Sequence, residues 1–567
     1  MQIVSEKNLA HFLELKAKNA KVDDSTLASS LKSLCFVYDK CEANYENAYL
    51  DNYENFDEYF INNAKLVNGY FQVGDFIKAV NYKQLNALAN QCANYFKELG
   101  LKQGDKLGLM IYNSFEFAII FFASFKLGLV LVPINALFAY DDAKYVIDKT
   151  KLQYIILEKE FQKNFKFNIN TIIKEKLLEN IKNKSKEFET NIINCDDLAI
   201  ILFTSGTTSK PKGCKLTHYN LLYASHFTSA QIGLRCQDIF ATSMPNWHID
   251  LLTTAFMPSL RANTRFILLN RFSARRFWQQ LVFFKANVSE VVPKMIEIIK
   301  LQKPFFREDK HNLRFLLYFL NMSKKKYLEF KARFKTDLFT SYGLSESIVG
   351  IIGDNHYEEF KFGSLGKVYF GVDVIIANKK DNKLIPLKAN EIGEICIKAR
   401  MGKEIFAGYY EDEKANNEAF CDGYFLTKDL GFYDEEGFFY FYSRNKDLIK
   451  INGENVSAIE LENKLCEHEA IKNACIIAAC DDISCDLIIA IVELNNNEGI
   501  SYKQDSKDLM SAILDENLKS LKKDILKINN TLTSFKRIRD IVFVKNLPYN
   551  HIGKVCKNIL GEVYGRI

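Results

Sequence analysis

The chain reads as an α/β protein of two or more domains, and three observations carry that reading. Its 567 residues exceed what one compact core serves. From Asn81 onward, amphipathic stretches such as NYKQLNALANQCANYFKELG alternate with short apolar runs such as KLGLMIY and LVLVPIN, the pattern of helices crossing between parallel strands. Near Ser443 the strand-rich, glycine-punctuated stretch DGYFLTKDLGFYDEEGFFYFYSRNKDLIK gives way to alternating helices and strands, which places a domain boundary there.

Taken in order, residues 1–55 lack the alternation and are rich in Tyr, Asn and Asp, so they are expected to form a small helical appendage of unknown role. Residues 56–443 form the large domain. Its most apolar stretch, Phe117 to Val132, is interrupted by Lys126 and falls short of the roughly 20 apolar residues that span a bilayer. It predicts a buried helix running into a buried strand. The Lys- and Asn-rich stretch from Lys163 to Glu189 predicts a solvated helix and loops. Residues 444–567 have about the length of one ordinary domain.

Hydrophobic residues make up 48% and charged residues 26%, the balance of a soluble globular protein. The formal charge of +5 is small for this length and Lys is spread throughout, so no nucleic-acid partner is expected. The thirteen cysteines form no CxxC pair, which fits a reduced, cytoplasmic setting. The first residues, MQIVSEKNLAHFLELKAKNAK, are polar and lack the apolar core of a signal peptide.

The most informative segment is LAIILFTSGTTSKPKGCKLTH, residues 198–218, an apolar strand running into a loop of hydroxyl residues that ends in Lys212 and Gly213. Such a loop binds phosphate. Gly206 lets backbone N–H groups converge, Thr204, Ser205, Thr207, Thr208 and Ser209 offer hydroxyl donors, and Lys212 adds a point charge. Pro211 and Gly213 stand where a Walker A loop needs Gly and Ser or Thr, which excludes that motif.

This loop resembles the signature of the adenylate-forming superfamily of acyl-CoA synthetases, non-ribosomal peptide adenylation domains and luciferases. The resemblance continues through SYGLSES at 341–347, GEICIK at 393–398, SRNKDLIKINGENVSAIELE at 443–462 and LPYNHIGKV at 547–555. Five motifs in order across the chain imply a large multi-layer N-terminal domain with parallel sheets and a small β-barrel-like part, followed by a small mobile α+β C-terminal domain. They imply ATP, Mg²⁺ and coenzyme A as the groups bound. In the reaction implied, a carboxylate attacks the α-phosphorus of ATP, two anions meet, and positive charge must converge where they do.

By the resemblance, Glu346 holds Mg²⁺ and Ser345 beside it contacts the nucleotide, while Thr204 and its neighbours hold the β- and γ-phosphates. Lys554 bridges the attacking carboxylate and the α-phosphate. Tyr342 lies against the adenine, and Asp429 and Arg444 grip the ribose hydroxyls. Lys446 is the pivot about which the C-terminal domain turns between half-reactions. Gly453 leaves room for the pantetheine arm, and His248, in PNWHID, is an aromatic gate between acyl pocket and thiol tunnel.

Two departures stand out. The superfamily has small residues before its Tyr-Gly-x-Thr-Glu motif where this chain has Tyr318, Phe319, Leu320 and Asn321, whose bulk should shorten the acyl pocket. The usual Gly before the ribose carboxylate is here Lys428. Several segments, among them MPNWHIDLLTTAF, FSARRFWQQL and TSYGLSESIVGIIGD, resemble the crotonobetaine/carnitine-CoA ligase family, whose acids are short and carry a quaternary ammonium group. Trp247 and Asp250 beside His248 suit such a cation, although Trp247 could equally pack in the core and Asp250 cap the following helix.

The expected activity is therefore that of an ATP-dependent carboxylic acid:CoA ligase working through an acyl-adenylate on a small, carnitine- or betaine-like acid. Two alternatives stay open: a ligase loading the phosphopantetheine thiol of an acyl carrier protein, and a catalytically silent nucleotide-binding scaffold.

Overall fold

The computed structural model describes the chain apart from residues 1–5, 22–24, 41, 43–44, 46–48, 205–210, 320–323, 355–360, 445–447, 452–453, 480–486, 507–508, 533–535, 550–554 and 566–567. The large domain is built on three sheets. The widest has eleven strands, and its centre is a run of six parallel ones: Leu338–Tyr342, Phe315–Tyr318, Val288–Val291, Ile239–Thr242, Arg265–Leu269 and Leu34–Asp39. A second sheet runs Gly213–Thr217, Leu198–Phe203, Val130–Pro133, Lys106–Met110, Tyr154–Leu157, Asn170–Ile173, parallel throughout except for the first pair. The third is antiparallel and contains Asp373–Lys380, Gly393–Lys398, Tyr424–Tyr433 and Phe439–Arg444, the part that the sequence reading expected to be barrel-like.

The apolar stretch behaves as its composition dictates. Helix Phe115–Leu127 is buried along its whole length and ends at Gly128, whose φ of +77° is the left-handed turn that glycine adopts freely. Strand Val130–Pro133 follows at once. Lys126 is completely buried, and its ammonium is satisfied by Glu14 at 2.9 Å. Helix Tyr82–Glu98 starts where the sequence offers a capping box, Asn81 accepting from the Gln84 backbone N–H while the Gln84 side chain accepts from the Asn81 backbone.

Residues 1–55 are not an appendage, and this corrects the sequence reading. Strand Leu34–Asp39 lies inside the eleven-stranded sheet, parallel to Arg265–Leu269 and antiparallel to Ile77–Asn81, with all six residues buried. Helix Leu9–Asn19 buries Leu9, Ala10, Phe12, Leu13 and Ala17 in the same core. The tyrosines that made the segment look polar are packed inside: Tyr45 and Tyr49 stack around Phe283, and the Tyr45 hydroxyl and Gln280 amide both donate to the buried Asp39 carboxylate.

The C-terminal region gathers its own core from Ile449 onward, around Leu461, Ile476, Ile488 and Val492. Its five-stranded sheet, ordered Ile471–Ala479, Leu487–Leu494, Asp540–Val544, Met510–Ala512, Tyr502–Gln504, carries helices Ala458–Leu465 and Glu516–Ile525. Among the described residues no helix is long and apolar enough to cross a membrane.

Candidate active site

The strands on either side of the hydroxyl-rich loop form a hairpin. Strands Leu198–Phe203 and Gly213–Thr217 pair antiparallel, Phe203 opposite Gly213, and the Thr204 backbone N–H donates to the Lys212 carbonyl at 2.9 Å. Thr204 and Lys212 therefore stand at the two feet of the loop. A side chain at 213 would bring its Cβ to 2.9 Å from Ile201 Cγ2, which is why glycine closes the hairpin. Ser205, Gly206, Thr207 and Thr208 lie outside the described residues.

Lys212 does not point into empty space. Its ammonium sits 4.9 Å from the ring centroid of Tyr409, and the Tyr409 hydroxyl donates to Glu346 Oε1 at 2.8 Å. Lys212 and the expected metal carboxylate thus meet at one aromatic residue. Glu346 is presented by a tight turn in which the Ser347 hydroxyl accepts from Leu344 N–H and donates to carbonyl oxygen of the same turn. The turn holds Ile348 at φ +56°, a left-handed conformation that is costly for a β-branched residue. Ser345 is half-buried next to Glu346.

Among the described residues no group of three His, Cys, Asp or Glu side chains gathers. A single carboxylate beside a phosphate loop nevertheless suits Mg²⁺, which keeps several waters and is held by one or two carboxylates together with substrate phosphates.

The expected nucleoside side is also assembled. Tyr342 ends strand Leu338–Tyr342, and its hydroxyl donates to Asp429 Oδ2 at 2.7 Å. Asp429 lies on strand Tyr424–Tyr433 directly across from Arg444. Lys428 has φ +63°, so the backbone keeps the left-handed position where the superfamily has glycine and only the side chain departs. Lys446, Gly453 and Lys554 lie outside the described residues. The stretch before Val555 is closed at its base, where Tyr549 bridges to Val555 and Cys556 N–H donates to the Pro548 carbonyl at 2.8 Å.

On the acyl side, the carboxyl ends of the parallel strands bring Thr242, Glu290, Tyr318 and Tyr342 to one rim, where ligands of open α/β sheets bind. The segment carrying Trp247, His248 and Asp250 follows directly from the first of these strands. Trp247 is buried in a hydrophobic cluster with Phe161 and Phe203, its ring 6.4 Å from that of Tyr112 and tilted to it. His248 is half-buried beside it, the two rings 6.3 Å apart. Asp250 precedes helix Leu251–Phe256 without capping it through its side chain. Tyr318 is buried at the rim and hydrogen-bonds Thr340, and Phe319 is half-buried; Leu320 and Asn321 fall outside the described residues.

Two residues escaped the sequence reading. Glu290 lies in the middle of VSEVV, completely buried, with Oε1 accepting from the Thr242 hydroxyl at 2.7 Å and Oε2 without a protein partner among the described residues. Burial, and next the negative charge of Asp250, push its carboxyl well above the ordinary range. A lone Glu inside a doubly covered parallel strand was the available signal. Tyr409 is the other. Its phenol carries no charge and its motif, FAGYY, names no chemistry.

Lys212 and Glu346, meeting at one tyrosine, fit the nucleotide-using enzyme that the sequence motifs imply. Residues 63–410 match the family model of the AMP-binding enzymes, and residues 460–554 match that of their C-terminal domain. The chain belongs to the AMP-binding enzyme family, the adenylate-forming acyl-CoA ligases. It is 34% identical over 504 residues to the crotonobetaine/carnitine–CoA ligase of Salmonella typhimurium, covering 85% of this chain and 93% of that one. Among solved structures it resembles ATP-bound MatB from Rhodopseudomonas palustris, with a TM-score of 0.75 at 23% identity over 85% of this chain and 93% of the other. The o-succinylbenzoate coenzyme A synthetase of Bacillus subtilis in complex with AMP also superimposes, with a TM-score of 0.75 at 21% identity over 97% of both chains.

Proposed function

We propose that this ligase joins a short carboxylic acid bearing positive charge to the thiol of coenzyme A, through an acyl-adenylate and with release of pyrophosphate. The carrying observation is the row Lys212–Tyr409–Glu346, which sets a cation for phosphate against the face of one ring and a carboxylate for metal at its hydroxyl. Thr204, Lys212 and the loop between them hold the β- and γ-phosphates. Asp429 and Arg444 hold the ribose, with Tyr342 against the base. Glu346 would hold Mg²⁺, which when bound would supply charge neutralisation for the departing pyrophosphate. Lys554 offsets the charge that the acid carboxylate and α-phosphate bring together. The region after residue 443 then turns about Lys446, and Gly453 and His248 admit the thiol.

The positive charge on the acid is supported by two carboxylates at the acyl rim. Asp250 adds negative charge near Glu290, and Glu290 has an oxygen that no described side chain or backbone group satisfies. A buried carboxylate in that state is expensive, and a substrate cation relieves it. Trp247 serves as a wall. The name of the relatives at 34% identity, crotonobetaine/carnitine–CoA ligase, agrees with such an acid.

The test is a screen of acids by pyrophosphate release, with and without coenzyme A, using betaine-type acids beside neutral acids of equal size. Thioester formation with free coenzyme A supports the reading. Release of pyrophosphate with thioester formed only on a carrier protein would transfer the acceptor role to that carrier, and no release with any acid would leave a nucleotide-binding scaffold.

A further inference from the structure

The segment 406–410 ties the phosphate loop to the Glu346 turn. Phe406 N–H donates to the Glu346 carbonyl at 2.9 Å, Ala407 N–H to the Lys215 carbonyl at 2.7 Å, Lys215 N–H to the Gly408 carbonyl at 3.0 Å, and Tyr410 N–H to the Gly213 carbonyl at 2.7 Å. Asn416 grips Tyr409 from behind, its Oδ1 accepting from Tyr409 N–H at 2.6 Å and its Nδ2 donating to the Tyr409 carbonyl at 3.1 Å. Gly408 has φ +87°, and a Cβ there would meet Asn416 Oδ1 at 2.8 Å. The Phe406 ring packs edge-on against that of Tyr409 at 4.9 Å. Both backbone and ring of Tyr409 are therefore fixed before any ligand arrives.

This ring contacts a pair of opposite charges, Lys212 over its face and Glu346 at its hydroxyl. Lys212 and Glu346 attract each other, and in direct contact each would hide the other from phosphate and metal. The ring face takes the ammonium as a cation–π partner while the hydroxyl holds one carboxylate oxygen.

We propose that Tyr409 is a positioning residue that orients Glu346 for Mg²⁺ and holds Lys212 away from it, so that both charges are ready when the metal and nucleotide bind. This rests on the assignment of Glu346 to the metal and Lys212 to the phosphates.

The experiment measures ATP binding to the full-length protein by calorimetry, first with metal chelated and then across a Mg²⁺ titration, for Tyr409→Phe, Tyr409→Leu, Glu346→Gln and the double variant Tyr409→Leu/Glu346→Gln. Thermal unfolding checks that each variant is folded. Tyr409→Phe keeps the ring, so metal-free ATP affinity should stay within about twofold while the Mg²⁺ requirement rises about tenfold, the worth of one charge-assisted hydrogen bond. Tyr409→Leu should also weaken metal-free binding as Lys212 falls onto Glu346, and adding Glu346→Gln should restore it. A merely structural role would lower both affinities together in every Tyr409 variant, and that result overturns the proposal. So does a wild-type Mg²⁺ requirement in Tyr409→Phe when Glu346→Gln alters it. If Glu346→Gln alters nothing either, the metal assignment itself fails and the proposal goes with it.

Discussion

The Tyr342 hydroxyl donates to Asp429 Oδ2 at 2.7 Å, joining the last residue of a parallel strand to the middle of the antiparallel sheet. The bond fixes the angle between the two sheets at the place where the nucleoside is expected, and Asp429 is only 1% exposed. Tyr342→Phe keeps the ring and removes the bond. It should lower stability by about 1.5–3 kcal/mol, the usual worth of a hydrogen bond to a charged group. The KM for ATP should rise with little change in kcat, because the ribose carboxylate loses its orientation. Denaturant unfolding and pyrophosphate-release kinetics measure the two effects, and an unchanged KM would separate Asp429 from nucleotide binding.

A second relationship makes stability depend on pH. Asp354 is buried and accepts from Thr340 N–H at 2.7 Å, and burial raises its pKa from 3.8 to about 6 despite that bond. A carboxyl that binds its proton more tightly when folded favours folding below its unfolded pKa. That advantage is lost as pH rises through the folded value. At about 1.4 kcal/mol per unit, the shift costs about 3 kcal/mol once Asp354 is ionised. Asp354→Asn retains an acceptor for Thr340 without the charge. It should match wild type near pH 4 and be the more stable protein above pH 6. Unfolding curves at the two pH values decide this, and equal stability of the pair at pH 7.5 would refute it.

What was legible in the sequence was what chemistry concentrates locally. The loop from Thr204 to Lys212, the Glu346 turn and Asp429 each carry reactive groups in short order, and of these the structure brings Lys212 and Glu346 onto one tyrosine and Asp429 onto Tyr342. Tyr409 and Glu290 escaped because their meaning comes from neighbours far away in the chain, Lys212 and Glu346 for one, Thr242 and Asp250 for the other. Residues 1–55 were misjudged for a related reason. LCFVYD is a six-residue strand among tyrosines and asparagines, and only the sheet that receives it shows that Tyr45 and Tyr49 are core residues. At Lys428 the sequence looked irregular while the backbone is not, since a left-handed φ of +63° is available to lysine at a cost.

Lys554→Ala should abolish acyl-adenylate formation and spare thioester formation from a supplied adenylate, because the proposed function gives the lysine a part in the first half-reaction alone. Losing one preorganised charge costs about 2.7–4 kcal/mol, or about 100- to 1,000-fold in rate, by analogy with oxyanion-hole deletions. Measuring the half-reactions separately checks it, and equal damage to both would remove Lys554 from this role.

Lys446→Pro should leave adenylation intact and block thioester formation. Proline fixes φ and withdraws the freedom that a pivot needs, so the region after residue 443 would be held in the adenylating arrangement. Single-turnover assays of each step provide the measurement. Thioester formation at the wild-type rate would place the pivot elsewhere.

On the proposed function the choice of acid turns on Glu290 and Asp250, which lie close enough for the Asp250 charge to raise the Glu290 carboxyl. In the absence of substrate Glu290 is driven toward its neutral form, first by burial and then by Asp250. A cationic acid reverses this by stabilising the ionised carboxylate, so binding should release a proton, and affinity for a betaine should rise with pH while that for a neutral tert-butyl isostere should not. Glu290→Gln keeps the shape and the acceptor for the Thr242 hydroxyl while removing the charge. The ratio of kcat/KM for the betaine over its isostere should fall by about tenfold in Glu290→Gln and in Asp250→Asn, a change of about 1.4 kcal/mol that one partly screened charge pair readily supplies. Adenylation of the neutral isostere should hold or improve in both variants, which separates lost recognition from lost chemistry. Calorimetry in buffers of different ionisation enthalpy counts the released proton directly. A wild-type enzyme that prefers the isostere, or a betaine preference that survives both substitutions, would show that the acid's charge is read elsewhere.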